Sequence, residues 1–236
     1  MTNARLALAS GVALAAAVAI GRVEADPKPA SVSALEGKAT RARDKAEPAE
    51  LRVGSAVSQG DILATGDNAR LELKFADASL LRIGPRARVQ LTTAHFGGGP
   101  AKRQFTAKLF FGNLWARVTS AIQGDQKFQI ETENAVAGVR GTTFRVDARS
   151  DKSVLVRVYA GAVAVAKNVP IYASSKPGAR HEVEGPGEVT REQWEKIVGR
   201  QMEIVIAADG TPGDPTQLSG EEEKKDDLGA WTPGGR

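Results

Sequence analysis

The chain has 236 residues, 42% hydrophobic and 25% charged, with Lys+Arg 32 against Asp+Glu 28 and a formal net charge of +4. That is the composition of a soluble globular protein with both charge signs interspersed, and it argues against a nucleic-acid-binding surface. The lack of Cys excludes disulfides, thiolate metal sites, Cys nucleophiles and a lipidated cysteine, and 2 His leave little for an imidazole metal site.

The opening stretch MTNARLALASGVALAAAVAIGRVEADP reads as targeting rather than structure. Arg5 supplies positive charge, Leu6 to Gly21 is apolar, and Val23-Glu24-Ala25 offers short side chains to a signal peptidase. The expectation is a signal peptide over residues 1–25, cleaved after Ala25. The alternative is an N-terminal membrane anchor, because the run is long for a leader and short for a span. Either places the rest of the chain outside the cytoplasm. Residues 26–36 are expected to be a linker.

Residues 37–168 are expected to form one β domain. ARLELKF alternates Leu71, Leu73 and Phe75 against Arg70, Glu72 and Lys74. LFFGNLWARV, KFQIET and SVLVRVYAGAVAVA repeat the alternation, and turn signals such as TGDN, FADAS, IGPR and YAG recur between short runs. Short strands turned repeatedly by Gly fit a solenoid-like or a sandwich-like array.

Within this span AVAGVRGTTFRVD stands out. It lacks the spacing and the Lys of a phosphate-binding loop and leads into β-branched residues rather than a helix. Gly138 and Gly141 are therefore expected to mark a bend or a close approach of two strands. Thr142 restarts the ladder and Phe144 faces inward. Arg140 is expected to project from the bend and satisfy carbonyls or a carboxylate of the fold.

Residues 169–210 read as a C-terminal extension of loop, short helix and strand. TREQWEKIVGR is the helix candidate: Thr190 and Gln193 can form a capping box, and Trp194, Ile197 and Val198 share one face. Residues 211–236 are expected to be a disordered tail. Leu218, Leu228 and Trp231 stand isolated there among charges, Gly and Pro.

The ordered set of motifs in the β span resembles the FecR domain. It runs from Gly60-Asp61 and Thr65-Gly66 through Asp77-Ala78-Ser79 and Gly112 to Arg140-Gly141-Thr142, Phe144 and Gly161. Two departures are Ala78, where that family usually has Gly, and Tyr159-Ala160 ahead of Gly161. The resemblance implies an extracytoplasmic all-β module, similar to that of regulators of iron-siderophore uptake. In those regulators a cytoplasmic segment holds a sigma factor. Only Met1 to Arg5 precede the apolar run here, so the expectation is a FecR-like module without an anti-sigma segment.

No residue set supplies a nucleophile, a paired acid and base or a metal site, so the chain is read as non-enzymatic, without cofactor or metal. The expected function is binding in the cell envelope, with an envelope protein or a polysaccharide as partner; a structural scaffold is the alternative. Arg82, Arg86 and Arg88 in RIGPRAR are the candidate partner contacts, expected to be exposed.

Overall fold

The computed structural model describes residues 30–44, 46–95, 104–119, 127–168 and 195–234. The leader read at Met1 to Ala25 lies outside them. The expected linker is partly structured, because Ala30–Glu36 forms the first strand, β1, and pairs in the sheet. Its alternate residues Ala30, Val32 and Ala34 are buried, which a linker has no reason to do.

The fold is all-β. Strands β2 (Ala39–Ala42), β3 (Ala49–Glu50), β4 (Ala56–Val57), β5 (Ile62–Thr65), β6 (Arg70–Phe75), β7 (Leu80–Ile83) and β8 (Arg88–His95) are short. Strands β9 (Gln104–Arg117), β11 (Ala135–Ala148) and β12 (Val154–Lys167) each run 14 residues, and β10 (Lys127–Glu131) lies between β9 and β11. Strands β13 (Glu195–Val198), β14 (Met202–Ile206) and β15 (Thr216–Gln217) precede the one helix among the described residues, α1 (Gly220–Lys224). All these strands belong to one 15-stranded sheet.

That sheet is folded over into two layers. In the first, β4, β1, β6, β7, the second half of β9, the second half of β11, the first half of β12, β14 and β15 pair in that order. In the second, the order is β3, β2, β5, β8, the first halves of β9 and β11 with β10 between them, the second half of β12, and β13. The three long strands thus serve both layers. Each turns the corner at a glycine in the left-handed region: Gly112 (φ 92°), Gly141 (φ 58°) and Gly161 (φ 83°). Gly37 (φ 69°) between β1 and β2, Arg86 (φ 47°) between β7 and β8, and Gln201 (φ 58°) between β13 and β14 take the same role.

The corners stack. Gly66 N–H donates to the Lys38 carbonyl, and Arg86 N–H donates to the Gly66 carbonyl. A Cβ on Gly112 would sit 2.5 Å from Ala87 Cβ, and one on Gly161 would sit 2.5 Å from Thr142 Cγ2. The recurrent glycines of the sequence are therefore the hinge line of a sandwich-like fold. Between the layers Leu71, Leu73, Leu81, Ile83, Leu114, Phe144, Val146 and Val156 meet Leu63, Val89, Leu91, Phe105, Leu109, Ile130 and Val163 in one core.

Two expectations at the C-terminus are corrected. The stretch read as a helix around Trp194 is a strand where it is described. β13 pairs antiparallel along β12, Val198 opposite Val163 and Ile197 opposite Ala164, with Val198 fully buried and Ile197 61% exposed. Residues 190–194 lie outside the described set. The tail read as disordered is ordered as far as residue 234. Leu218, Leu228 and Trp231 are all buried, and α1 begins with a capping box between Ser219 and Glu222. These apolar residues are isolated in sequence, yet each docks on a face that the sheet has already built.

Candidate interaction surface

The sequence motifs turn out to build corners. The Asp61 carboxylate is buried; it accepts from Ser58 N–H at 2.8 Å and from Arg43 Nε at 2.8 Å. Gly60 (φ 87°) shapes that turn and donates to the Leu91 carbonyl. The Thr65 hydroxyl donates to the Gly84 carbonyl at 2.7 Å and accepts from Ala87 N–H at 2.9 Å, which ties one corner to the next. Gly141 and Thr142 form the bulge where the β11–β12 register shifts, and Phe144 enters the core just beyond it. Gly138 is not part of the bend. It lies in regular register opposite Ala164, and a Cβ there would have only that residue's carbonyl nearby, at 3.9 Å. The Arg140 backbone pairs with Ala162, and its side chain lies outside what the structure describes.

The RIGPRAR arginines do not form one patch. Arg86 is exposed at a corner. Arg88 is exposed on the outer face of the second layer, its guanidinium 5.8 Å from the centre of the Phe110 ring. Arg82 sits on the outer face of the first layer and is nearly covered, contrary to the expectation of an exposed cation: its side chain is 11% exposed.

Arg82 belongs to a row that sequence reasoning missed. Directly opposed residues on neighbouring strands run Glu72, Arg82, Trp115, Arg145, Arg157 and Glu203 across the outer face of the first layer. Each arginine has a sheet carboxylate of its own. Arg82 Nε meets Glu72 at 2.8 Å, Arg145 Nη2 meets Asp147 at 2.9 Å, and Arg157 Nε meets Glu203 at 2.8 Å. Arg145 and Arg157 are direct cross-strand neighbours, a like-charge arrangement that needs such compensation. Only alternation marked these residues in the sequence, and alternation also describes an ordinary solvated face.

Residues 218–231 lie across this row as a strap. Arg145 Nη1 donates to Asp226 at 2.7 Å and to Asp227 at 3.0 Å. Arg82 Nη1 donates to the carbonyls of Leu228 at 2.7 Å and Gly229 at 3.0 Å. The same guanidinium is sandwiched between two indoles, 4.9 Å from the Trp115 ring centre and 5.6 Å from that of Trp231. Asp227 also meets Arg70 at 3.3 Å. Burial pushes the Asp227 carboxyl up, but Arg145 and Arg70 outweigh it and hold the group below its ordinary value. Burial, reinforced by the Asp226 charge, pushes the Tyr159 phenol up.

This is chemistry for holding a polypeptide. Forked donors meet carboxylates and main-chain carbonyls, and one guanidinium lies over an indole of the sheet and an indole of the strap. Among the described residues no group of His, Cys, Asp or Glu is arranged to hold a metal ion, and no helix is long and apolar enough to cross a membrane.

A family model described as FecR protein matches residues 61–164. No curated protein matches the chain. Two crystal structures of a "putative anti-sigma factor" from Parabacteroides distasonis, at 1.65 and 2.50 Å resolution, are similar in fold at 12% identity with a TM-score of 0.48. The match covers 69% of this chain and 62% of theirs, so the chain spans less than two thirds of those proteins.

Proposed function

We propose, from the match of residues 61–164 to a family model described as FecR protein, that the chain is a non-enzymatic, extracytoplasmic regulatory module that acts by binding another protein of the cell envelope. The observation that carries this reading is the row Arg82, Trp115, Arg145 and Arg157 across one sheet face, already engaged with a polypeptide segment. The motif residues Thr65, Gly112, Gly141 and Gly161 support it from the other side, because they serve the corners and leave the sheet faces to carry function. The apolar leader-like N-terminus supports an extracytoplasmic site of action.

The test is a strain lacking the gene, complemented with the native chain or with a Trp115→Ala chain present at an equal level. Loss of the gene should alter transcription of a sigma-factor-dependent gene set, and the native chain should restore it better than the variant. An unchanged transcript profile overturns the regulatory role. Protease access in intact and in osmotically opened cells checks the location: protection only in intact cells fits a periplasmic protein.

A polysaccharide ligand is the second reading, favoured by a different surface. Phe110 and Phe111 are 40% and 50% exposed, with Lys108 and Arg88 close to the Phe110 ring. Beside them Arg149 and Lys152 line a cleft of about 180 Å³. Retention of the protein on an immobilised acidic polysaccharide, lost with Phe110→Ala, would favour it.

A further inference from the structure

The strap occupies its face without satisfying it. The Trp231 indole N–H is buried without a hydrogen-bond partner, and so are the Tyr159 hydroxyl and the Asn113 carbonyl oxygen of the face itself. Burial, and with it the Asp226 carboxylate beside the Tyr159 hydroxyl, pushes the phenol up. A cleft of about 250 Å³ remains between strap and sheet, walled by Trp115, Thr143, Tyr159, Asp226, Gly229 and Ala230. Buried polar atoms of this kind ordinarily find partners, so an occupant that offers an acceptor to Tyr159 and a donor to Asn113 has an advantage over the strap.

The face also survives without its cover. Glu72, Asp147 and Glu203 leave no arginine of the row uncompensated when the strap departs. What departure exposes is the Nη1 donors of Arg82 and Arg145 and the Trp115 ring, which are the groups the strap now uses. The strap therefore behaves as a ligand held in cis, not as a piece of the core.

We propose that the outer face of the first layer is a docking site for a partner segment with two adjacent carboxylates followed within about one turn's reach by an aromatic ring, and that residues 219–231 are its built-in competitor. The occupant's chemistry is read from the strap. Asp226 and Asp227 define the carboxylates, the Leu228 and Gly229 carbonyls define the main-chain contact, and Trp231 defines the ring. Tethering gives the strap a high local concentration, so a partner binds only when it makes better contacts or when the strap is loosened.

This proposal rests on the reading of the chain as a protein-binding module, and its test uses purified full-length protein, so its outcome is separate from that of the transcript experiment. The probe is a labelled synthetic peptide with the sequence of residues 219–234, beside a scrambled control. A full-length chain carrying Asp227→Asn and Trp231→Ala should bind the peptide at least about 10-fold more tightly than the native chain, because cis competition is relieved. The scrambled peptide should bind neither. In the native chain, excess peptide should raise amide exchange of residues 220–231 and leave β11 and β12 protected, a readout that needs no mutation. Failure of the loosened chain to bind, or equal binding of the scrambled peptide, overturns the proposal. So does concentration-dependent dimerisation of the native chain that the two tail substitutions abolish, which would make a second copy's strap the occupant.

Discussion

Ala78 holds φ 64° at the exposed tip of the turn between β6 and β7. This is the position where the FecR resemblance carries Gly. A left-handed conformation costs an L-residue roughly 1–2 kcal/mol, and a glycine loses part of that advantage through its freer unfolded chain. Ala78→Gly should therefore stabilise the protein by about 0.5–1 kcal/mol, read as a higher denaturation midpoint. The corner glycines predict the reverse sign. At Gly112 a Cβ meets Ala87 Cα at 2.6 Å on a backbone already at φ 92°, so Gly112→Ala combines strain with a clash against main chain. It should cost on the order of 2–4 kcal/mol. Gly138→Ala, in open regular strand, should change stability by less than about 1 kcal/mol. Equal effects at the two sites would mean that the corner glycines do not need their geometry.

At the scale of elements, the strap makes an electrostatic prediction. Asp227 faces Arg145 on β11 and Arg70 on β6, with Asp226 beside it and Asp147 across the same guanidinium. Its folded value lies below that of the unfolded chain, about 3.9 for Asp. A depressed carboxylate contributes its stability fully above the unfolded value and loses it as the pH falls through the folded one. The strap should therefore begin to detach as the pH drops below about 4, ahead of the sheet. Amide exchange of residues 218–231 compared with β12 over a pH series checks this. Strap protection that persists until the whole sheet melts would show that the carboxylates do not hold it. The same element shows where the sequence stops being informative. Strands such as Arg70–Phe75 and Val154–Lys167 are legible because they bury one face, and burial on one face writes a period of two. The strap packs through Leu218, Leu228 and Trp231, which follow no period, because each fits a hollow made by residues distant in the chain. Its cap is legible all the same: Ser219 and Glu222 have capping-box spacing, a signal that Thr190 and Gln193 carry equally in the sequence. At β13 the apolar spacing of Ile197 and Val198 fits a helix face, and pairing with β12 overrides it. The row under the strap is invisible in the sequence for a similar reason. Glu72, Arg82, Trp115, Arg145 and Arg157 become neighbours only through strand register.

At the scale of the whole molecule, the crossing strands decide how it unfolds. β9, β11 and β12 each give one half to the first layer and the other half to the second, so neither layer has a boundary along which it could separate. The core is likewise shared, with Phe105 and Ile130 from the second layer in the same cluster as Leu73 and Val156 from the first. Phe144 sits where these two facts meet. It follows the Gly141 bend directly, is fully buried, and pairs with Val158 on one side and Ala116 on the other. Truncating it opens a cavity beside the hinge line, which stacked corners cannot easily collapse to fill. Phe144→Ala should cost about 3–5 kcal/mol. The loss should appear equally in both layers, because a cooperative unit shares its stability. Amide exchange under increasing denaturant measures this, with β7 reporting the first layer and β10 the second. In the native chain and in the variant the two strands should lose protection at a common midpoint, shifted together by the substitution. If β10 opens first and β7 keeps its native midpoint, the layers are separate folding units and the long strands are only covalent links between them.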